Sequence, residues 1–134
     1  MKLLLDTNIF LEIILDQENA VSAKTLLSSP ADHAFFMSDF SLHSIGLLLF
    51  RRNQYAVFER FVADVILTAQ TRVVGLTSED MGEVVRIARE TRLDFDDAYQ
   101  CSVARRWSLE IVSFDGDFDR AGVRRLTPAQ VVEQ

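Results

Sequence analysis

Cysteine is almost missing from these 134 residues: Cys101 stands alone, so no internal disulfide can form, as suits a reducing compartment. With only 5 glycines and 2 prolines there is no recognisable linker, and one domain over residues 1–134 is expected, long enough for a full core. No stretch reaches the roughly 18 consecutive apolar residues of a membrane span. At the N-terminus Lys2 precedes only three leucines before Asp6, too little for a secretory signal, so a cytoplasmic setting is expected. Excess base is missing too. The net charge is −6, which argues against a simple phosphate-binding surface. Lysine is confined to Lys2 and Lys24, and the remaining 12 of 14 basic residues are arginine, including the pairs Arg51-Arg52, Arg105-Arg106 and Arg124-Arg125. Solvated helix ends account for such pairs, with Arg51-Arg52 a candidate contact for a nucleic-acid backbone.

What the chain does have is acids in three telling places. Leu3-Leu4-Leu5 runs into Asp6-Thr7-Asn8; Asp94, Asp96 and Asp97 stand where a helical pattern begins; Ile111-Val112-Ser113-Phe114 runs into Asp115-Gly116-Asp117. In an open parallel sheet the carboxyl ends of the strands share one edge, where ligands bind. Acids distant in sequence can meet there, and carboxylates that meet repel unless a cation joins them. Hard divalent ions such as Mg²⁺ or Mn²⁺ prefer such oxygen ligands, and metal-assisted phosphate chemistry is the leading idea. Each cluster also has a plainer explanation. Asp6 suits a helix cap, Asp96 and Asp97 suit a first helical turn, and Asp115-Gly116-Asp117 suits a turn.

Apolar periodicity predicts strands at 2–5, 34–37, 73–74 and 110–113, with a weaker one near 123–126. Helices are expected over 9–16, capped by Thr7 or Asn8, over 19–28 ending near Ser28-Ser29-Pro30, and from a Ser38 cap to about Phe50. Others follow over about 55–69, from a Thr77–Asp80 capping box to about Thr91, and after Asp94. Ala98, Cys101 and Ala104 form a stripe of small residues that permits close packing on a sheet. Helix 9–15 and the run Leu47–Phe50 carry more apolar surface than one small domain hides, so a homodimer is expected. Strands alternating with helices predict a three-layer α/β/α sandwich around a short, mainly parallel central sheet.

The order Leu5-Asp6-Thr7-Asn8, then Asp97-Ala98, then Ser113-Phe114-Asp115-Gly116-Asp117-Phe118 resembles the PIN-domain nucleases, and among them toxins of the VapC type. That resemblance covers nearly the whole chain. It implies a small α/β/α protein that cuts RNA with Mg²⁺ or Mn²⁺, often a homodimer neutralised by a small antitoxin. It assigns Asp6, Asp97 and Asp115 to the metal, with Asn8 and Ser113 supporting them and Asp96 and Asp117 beside them. Hydroxide from a metal-bound water would attack phosphorus in line, leaving a 3′ hydroxyl and a 5′ phosphate, with Asp115 or Asp117 orienting the water.

One position departs from the family pattern. A fourth acid is expected on the third helix within Thr/Ser-Leu-x-Glu, and Ser41-Leu42-His43-Ser44 puts Ser44 there. His43 is its neighbour but points about 100° away around a helix, and reads as a hydrogen-bonded residue near the core. His33 reads as a loop residue, and Cys101, Trp107 and the phenylalanines as core. The leading function is a metal-dependent endoribonuclease, the toxin of a toxin–antitoxin pair. The Ser44 departure keeps open a PIN-like RNA- or protein-binding module without catalysis. A haloacid-dehalogenase-like phosphatase fits less well, since it wants an acid where Asn8 stands and a lysine after a middle helix.

Overall fold

The computed structural model of the chain describes residues 1–28 and 32–133. Its sheet has five parallel strands, β1 (Lys2–Leu5), β2 (Ala34–Ser38), β3 (Arg72–Val74), β4 (Glu110–Val112) and β5 (Arg125–Leu126), in the order β3-β2-β1-β4-β5. The helices are α1 (Thr7–Ile14), α2 (Ala20–Leu27), α3 (Asp39–Arg51), α4 (Tyr55–Phe61), α5 (Met81–Thr91), α6 (Phe95–Trp107) and α7 (Pro128–Val132).

Side-chain alternation along each strand creates the two outer layers. Leu4, Phe36 and Ile111 point into a core shared with Val84 and Ile87 of α5 and Ala98, Cys101 and Ala104 of α6. Their neighbours Leu3, Leu5, Phe35, Met37 and Val112 point the other way. There they meet Ile9 and Phe10 of α1, Leu26 of α2, Ile45 and Leu49 of α3 and Phe61 of α4. Burial on both faces explains the unbroken apolar strands, and the result is the expected α/β/α sandwich. Among the described residues no helix is long and apolar enough to cross a membrane.

Several boundaries differ from the sequence-based expectations. α1 begins at Thr7, and the cap is Asp6, whose side chain accepts from the Thr7 amide. The expected helix over 55–69 is α-helical only to Phe61 and then widens into a π-helical segment, Val62–Thr68. A 3₁₀ turn at Ser78–Asp80, with the Thr77–Asp80 capping box, precedes α5. Residues 116–121 form a further 3₁₀ segment where only a turn was expected. α7, which the apolar pattern is too short to reveal, is opened by a Thr127–Gln130 capping box with Pro128 behind it. The expected end of the second helix at Ser29-Pro30, and Ala31 of the loop assigned to His33, lie outside the described residues.

The strand order fixes where a ligand can sit. From central β1 the chain moves outward through β2 to β3, then crosses back to β4 on the other side of β1. That reversal splays the connections apart beyond the carboxyl ends of β1 and β4, the usual crevice of an open α/β sheet.

Candidate functional site

Asp6 and Ser113, the residues that leave β1 and β4, meet in this crevice. Ser113 Oγ donates to Asp6 Oδ2 at 2.7 Å, while the Asp6 amide donates to the Val112 carbonyl at 2.9 Å. The serine oxygen accepts in turn from Asn8 Nδ2 at 3.1 Å and from the Asp115 amide at 3.0 Å. Asp115 Oδ1 accepts from the Asp117 amide at 2.9 Å, which folds the chain into the 3₁₀ turn. Arg125 holds this loop from the side, donating to the Ser113 carbonyl at 3.2 Å and pairing with Asp119 at 2.9 Å.

The second wall comes from α6. Asp94 caps the helix through the Asp97 amide at 3.0 Å, so Asp97 lies in the first turn at the mouth of the crevice. One oxygen from each of Asp97, Asp115 and Asp117 lies within 4.8 Å of the others, close enough for one cation to join all three. This trio is half-buried to exposed, whereas Asp6 is only 8% exposed and its oxygens are occupied by donors from the protein. Those donors are Ser113 on Oδ2 and, on Oδ1, the Thr7 amide at 2.9 Å and Gln100 Nε2 at 3.0 Å.

The electrostatics reflect the crowding. Burial, and after it the charges of Asp94, Asp6, Asp115 and Asp117, push the Asp97 carboxyl up to about 7. Burial also raises the Asp6 carboxyl, against the opposing hydrogen bonds from Ser113, Gln100 and Thr7. A cation reverses this logic, because it favours the ionised form of each acid it touches. The all-oxygen donor set, a compact acidic trio backed by a buried carboxylate, fits Mg²⁺ or Mn²⁺.

A family model for the PIN domain matches residues 3–124. The chain belongs to the PIN-domain family. Its fold is shared with VapC20 of Mycobacterium tuberculosis, described as a sarcin–ricin loop cleaving toxin, at 24% identity and a TM-score of 0.75 over 94% of this chain and 99% of that one. Also similar are VapBC2 of Rickettsia felis bound to promoter DNA (13% identity, TM-score 0.76, 95% and 98% covered) and FitAcB of Neisseria gonorrhoeae (19%, 0.74, 95% and 98%). No curated protein sequence matches the chain at a significant level.

Within this PIN domain the residues singled out in the sequence are not equivalent. Asp97, Asp115 and Asp117 form the compact trio, Asp6 stands behind them, and Asn8 and Ser113 tie the strand ends together. Asp96 is exposed in the first turn of α6 and outside the trio. Ser44 is half-buried on α3 and, among the described residues, forms no hydrogen bond to these acids. His43 is exposed, lining a shallow hollow with Leu42, Leu47, Phe50 and Phe58. The Arg105-Arg106 and Arg124-Arg125 pairs are engaged with Glu83, Asp80, Glu110 and Asp119, as helix-end and loop ties would be. Cys101 is fully buried and its thiol is pushed up to about 12 by burial, consistent with a core residue.

The contact of Gln100 with Asp6, and the role of Ser41 behind it, escaped the sequence reading. Gln100 is buried and bonds Asp6, and Ser41, one turn before Ser44 on α3, bonds both Gln100 Nε2 at 2.9 Å and Thr7 Oγ1 at 2.7 Å. The signal for Gln100 was present. It follows Asp97 by three positions and so lies on the same side of the helix as that acid, where a buried uncharged amide needs a partner.

Proposed function

We propose that this PIN domain, acting as one unit over residues 1–134, is a metal-dependent endoribonuclease and the toxin of a cytoplasmic toxin–antitoxin pair. The observation that carries the reading is the trio Asp97, Asp115 and Asp117, with ligand oxygens within 4.8 Å, placed at the carboxyl edge of the sheet with Asp6 behind it. Three carboxylates gathered this closely, one of them pushed to about 7, are unfavourable as a bare cluster and call for a cation. A bound Mg²⁺ or Mn²⁺ supplies Lewis-acid polarisation of a phosphodiester and an acidified water. Asp97 and Asp115, fixed by the α6 cap and the Ser113 turn, would hold the ion, with Asp6 as the buried negative charge behind them. Asp117, the most exposed of the trio, would orient the attacking water and accept its proton.

The partners follow from two apolar surfaces. A groove of about 1020 Å³ between α1, α2, α4 and the π-helical segment is lined by Ile13, Ile14, Leu27, Phe61 and Val65, with Lys24 and Arg60 among its polar residues. Its apolar lining suits an apolar segment of an antitoxin, and structural relatives include complexes of VapBC and FitAB type. Exposed Leu47 and Phe50 on α3 support a homodimer.

Incubation of the purified chain with a panel of structured RNAs, a sarcin–ricin loop included, tests the reading. Cleavage that requires Mn²⁺ or Mg²⁺, stops with EDTA and leaves 5′ phosphates is the expected result. RNA binding without cleavage at any metal concentration would replace it with the second reading, a binding module weakened by serine at position 44. Sedimentation as a strict monomer at high concentration would remove the homodimer.

A further inference from the structure

Gln100 is 1% exposed, and its Nε2 bridges Asp6 Oδ1 at 3.0 Å and Ser41 Oγ at 2.9 Å. Its Oε1 is buried and has no partner, an arrangement proteins rarely retain without a reason. The amide cannot turn over to relieve it, because Oε1 would then face the carboxylate of Asp6. Ser41 Oγ accepts from Gln100 and from Ser38 Oγ at 3.2 Å, so its own proton goes to Thr7 Oγ1 at 2.7 Å. A continuous chain of hydrogen bonds thus runs from α3 through Ser41 to Gln100 on α6 and ends on Asp6.

The consequence lies in the lone pairs of Asp6. A carboxylate has about four acceptor positions, two on each oxygen. Oδ1 uses both of its own, on the Thr7 amide and Gln100, while Oδ2 uses one, on Ser113. One position remains, on Oδ2. We infer that Gln100 is a positioning residue of the metal site, which occupies Asp6 Oδ1 and thereby leaves the carboxylate behind the acidic trio a single acceptor position, on Oδ2. In a chain with serine at position 44, the tie from α3 to the acidic crevice is made by this neutral amide. The inference rests on the metal-dependent reading above and adds a residue to it.

Mn²⁺ titration of Gln100→Met, Ser41→Ala and the double variant, followed by calorimetry or by the electron paramagnetic resonance of free Mn²⁺, provides the test. Methionine keeps the volume and removes the donors. Outer-sphere partners of this kind typically contribute 10- to 100-fold in metal affinity. Gln100→Met is expected to bind Mn²⁺ about tenfold more weakly and to need correspondingly more Mn²⁺ for half-maximal cleavage, with the KM for RNA unchanged. Ser41→Ala is expected to weaken binding less, and to add nothing in the Gln100→Met background. Should Gln100→Met fail to fold, Gln100→Asn retracts a smaller amide from Asp6 and is expected to show the same loss. A folded Gln100 variant with the wild-type Mn²⁺ affinity overturns the inference and leaves the nuclease reading standing. A wild-type protein that binds no Mn²⁺ overturns both.

Discussion

Ser113 and Asp6 are 107 positions apart in the chain and 2.7 Å apart in the fold, the serine hydroxyl donating to Oδ2 of the carboxylate. The serine oxygen accepts from Asn8 and from the Asp115 amide, so one buried hydroxyl holds β1, the start of α1 and the acidic loop in a single arrangement. Ser113→Ala strands two donors and loosens Asp115 and Asp117 together. Mn²⁺ affinity is expected to fall by roughly tenfold, as for other outer-sphere partners, with the far-ultraviolet circular dichroism spectrum retained. An unchanged titration would show that the loop is held by Arg125 alone.

The acids impose a distinctive pH dependence on the metal-free protein. Asp97 is raised from its ordinary carboxyl range to about 7, and Asp6 is raised as well, so between about pH 4 and 7 the folded state binds more protons than the unfolded one. Stability then falls as pH rises through that window. The melting temperature in EDTA is expected to drop from pH 5 to pH 8, and saturating Mn²⁺ or Mg²⁺ to restore it most at the upper end. Asp97→Asn should flatten the EDTA curve and melt higher than wild type at pH 8. A metal-free melting temperature that rises across this range would contradict the arrangement.

Ser44 stands one helical turn beyond Ser41 and about 60° around α3 from it, on the side that carries the bridge to Gln100 and Asp6. A hydroxyl is a poor ligand for a hard cation beside carboxylates. Ser44→Glu is therefore expected to tighten Mn²⁺ binding and accelerate RNA cleavage by a second, better-held ion. Equal titrations and equal rates for the two forms would put Ser44 outside the site.

A prediction about stability concerns Gly75, beyond β3. A Cβ there would overlap the carboxylate of Asp39, coming within 2.7 Å of its Cγ. That carboxylate is held by the Tyr99 hydroxyl at 2.9 Å and the Phe40 amide at 2.8 Å, and Trp107 Nε1 donates to the Gly75 carbonyl at 3.2 Å. Gly75→Ala is expected to cost about 1–3 kcal/mol, the range of overpacking, by urea unfolding. Since Tyr99 sits on α6 one residue before Gln100, metal affinity should fall with it only if α6 moves.

Most of the architecture was legible along the chain because the strands are buried on both faces. Leu3–Leu5 and Ile111–Val112 could only be core, the helices between them could only be covers, and Asp94 and Thr77 announced their caps by side-chain chemistry alone. The three acid clusters were likewise visible, since each follows a strand or opens a helix. The sequence could not say which acids would form the compact group. Asp6, Asp97 and Asp115 read as equal ligands, with Asp117 beside them; in the fold the Asp6 oxygens accept from Thr7, Gln100 and Ser113, while Asp117 joins Asp97 and Asp115 in the compact trio. Backbone pattern and capping are local and show themselves within a few residues. The identity of the groups holding Asp6 depended on long-range contacts, Gln100 of α6 from 94 positions away and Ser113 beyond β4 from 107, that only the packed sheet brings together.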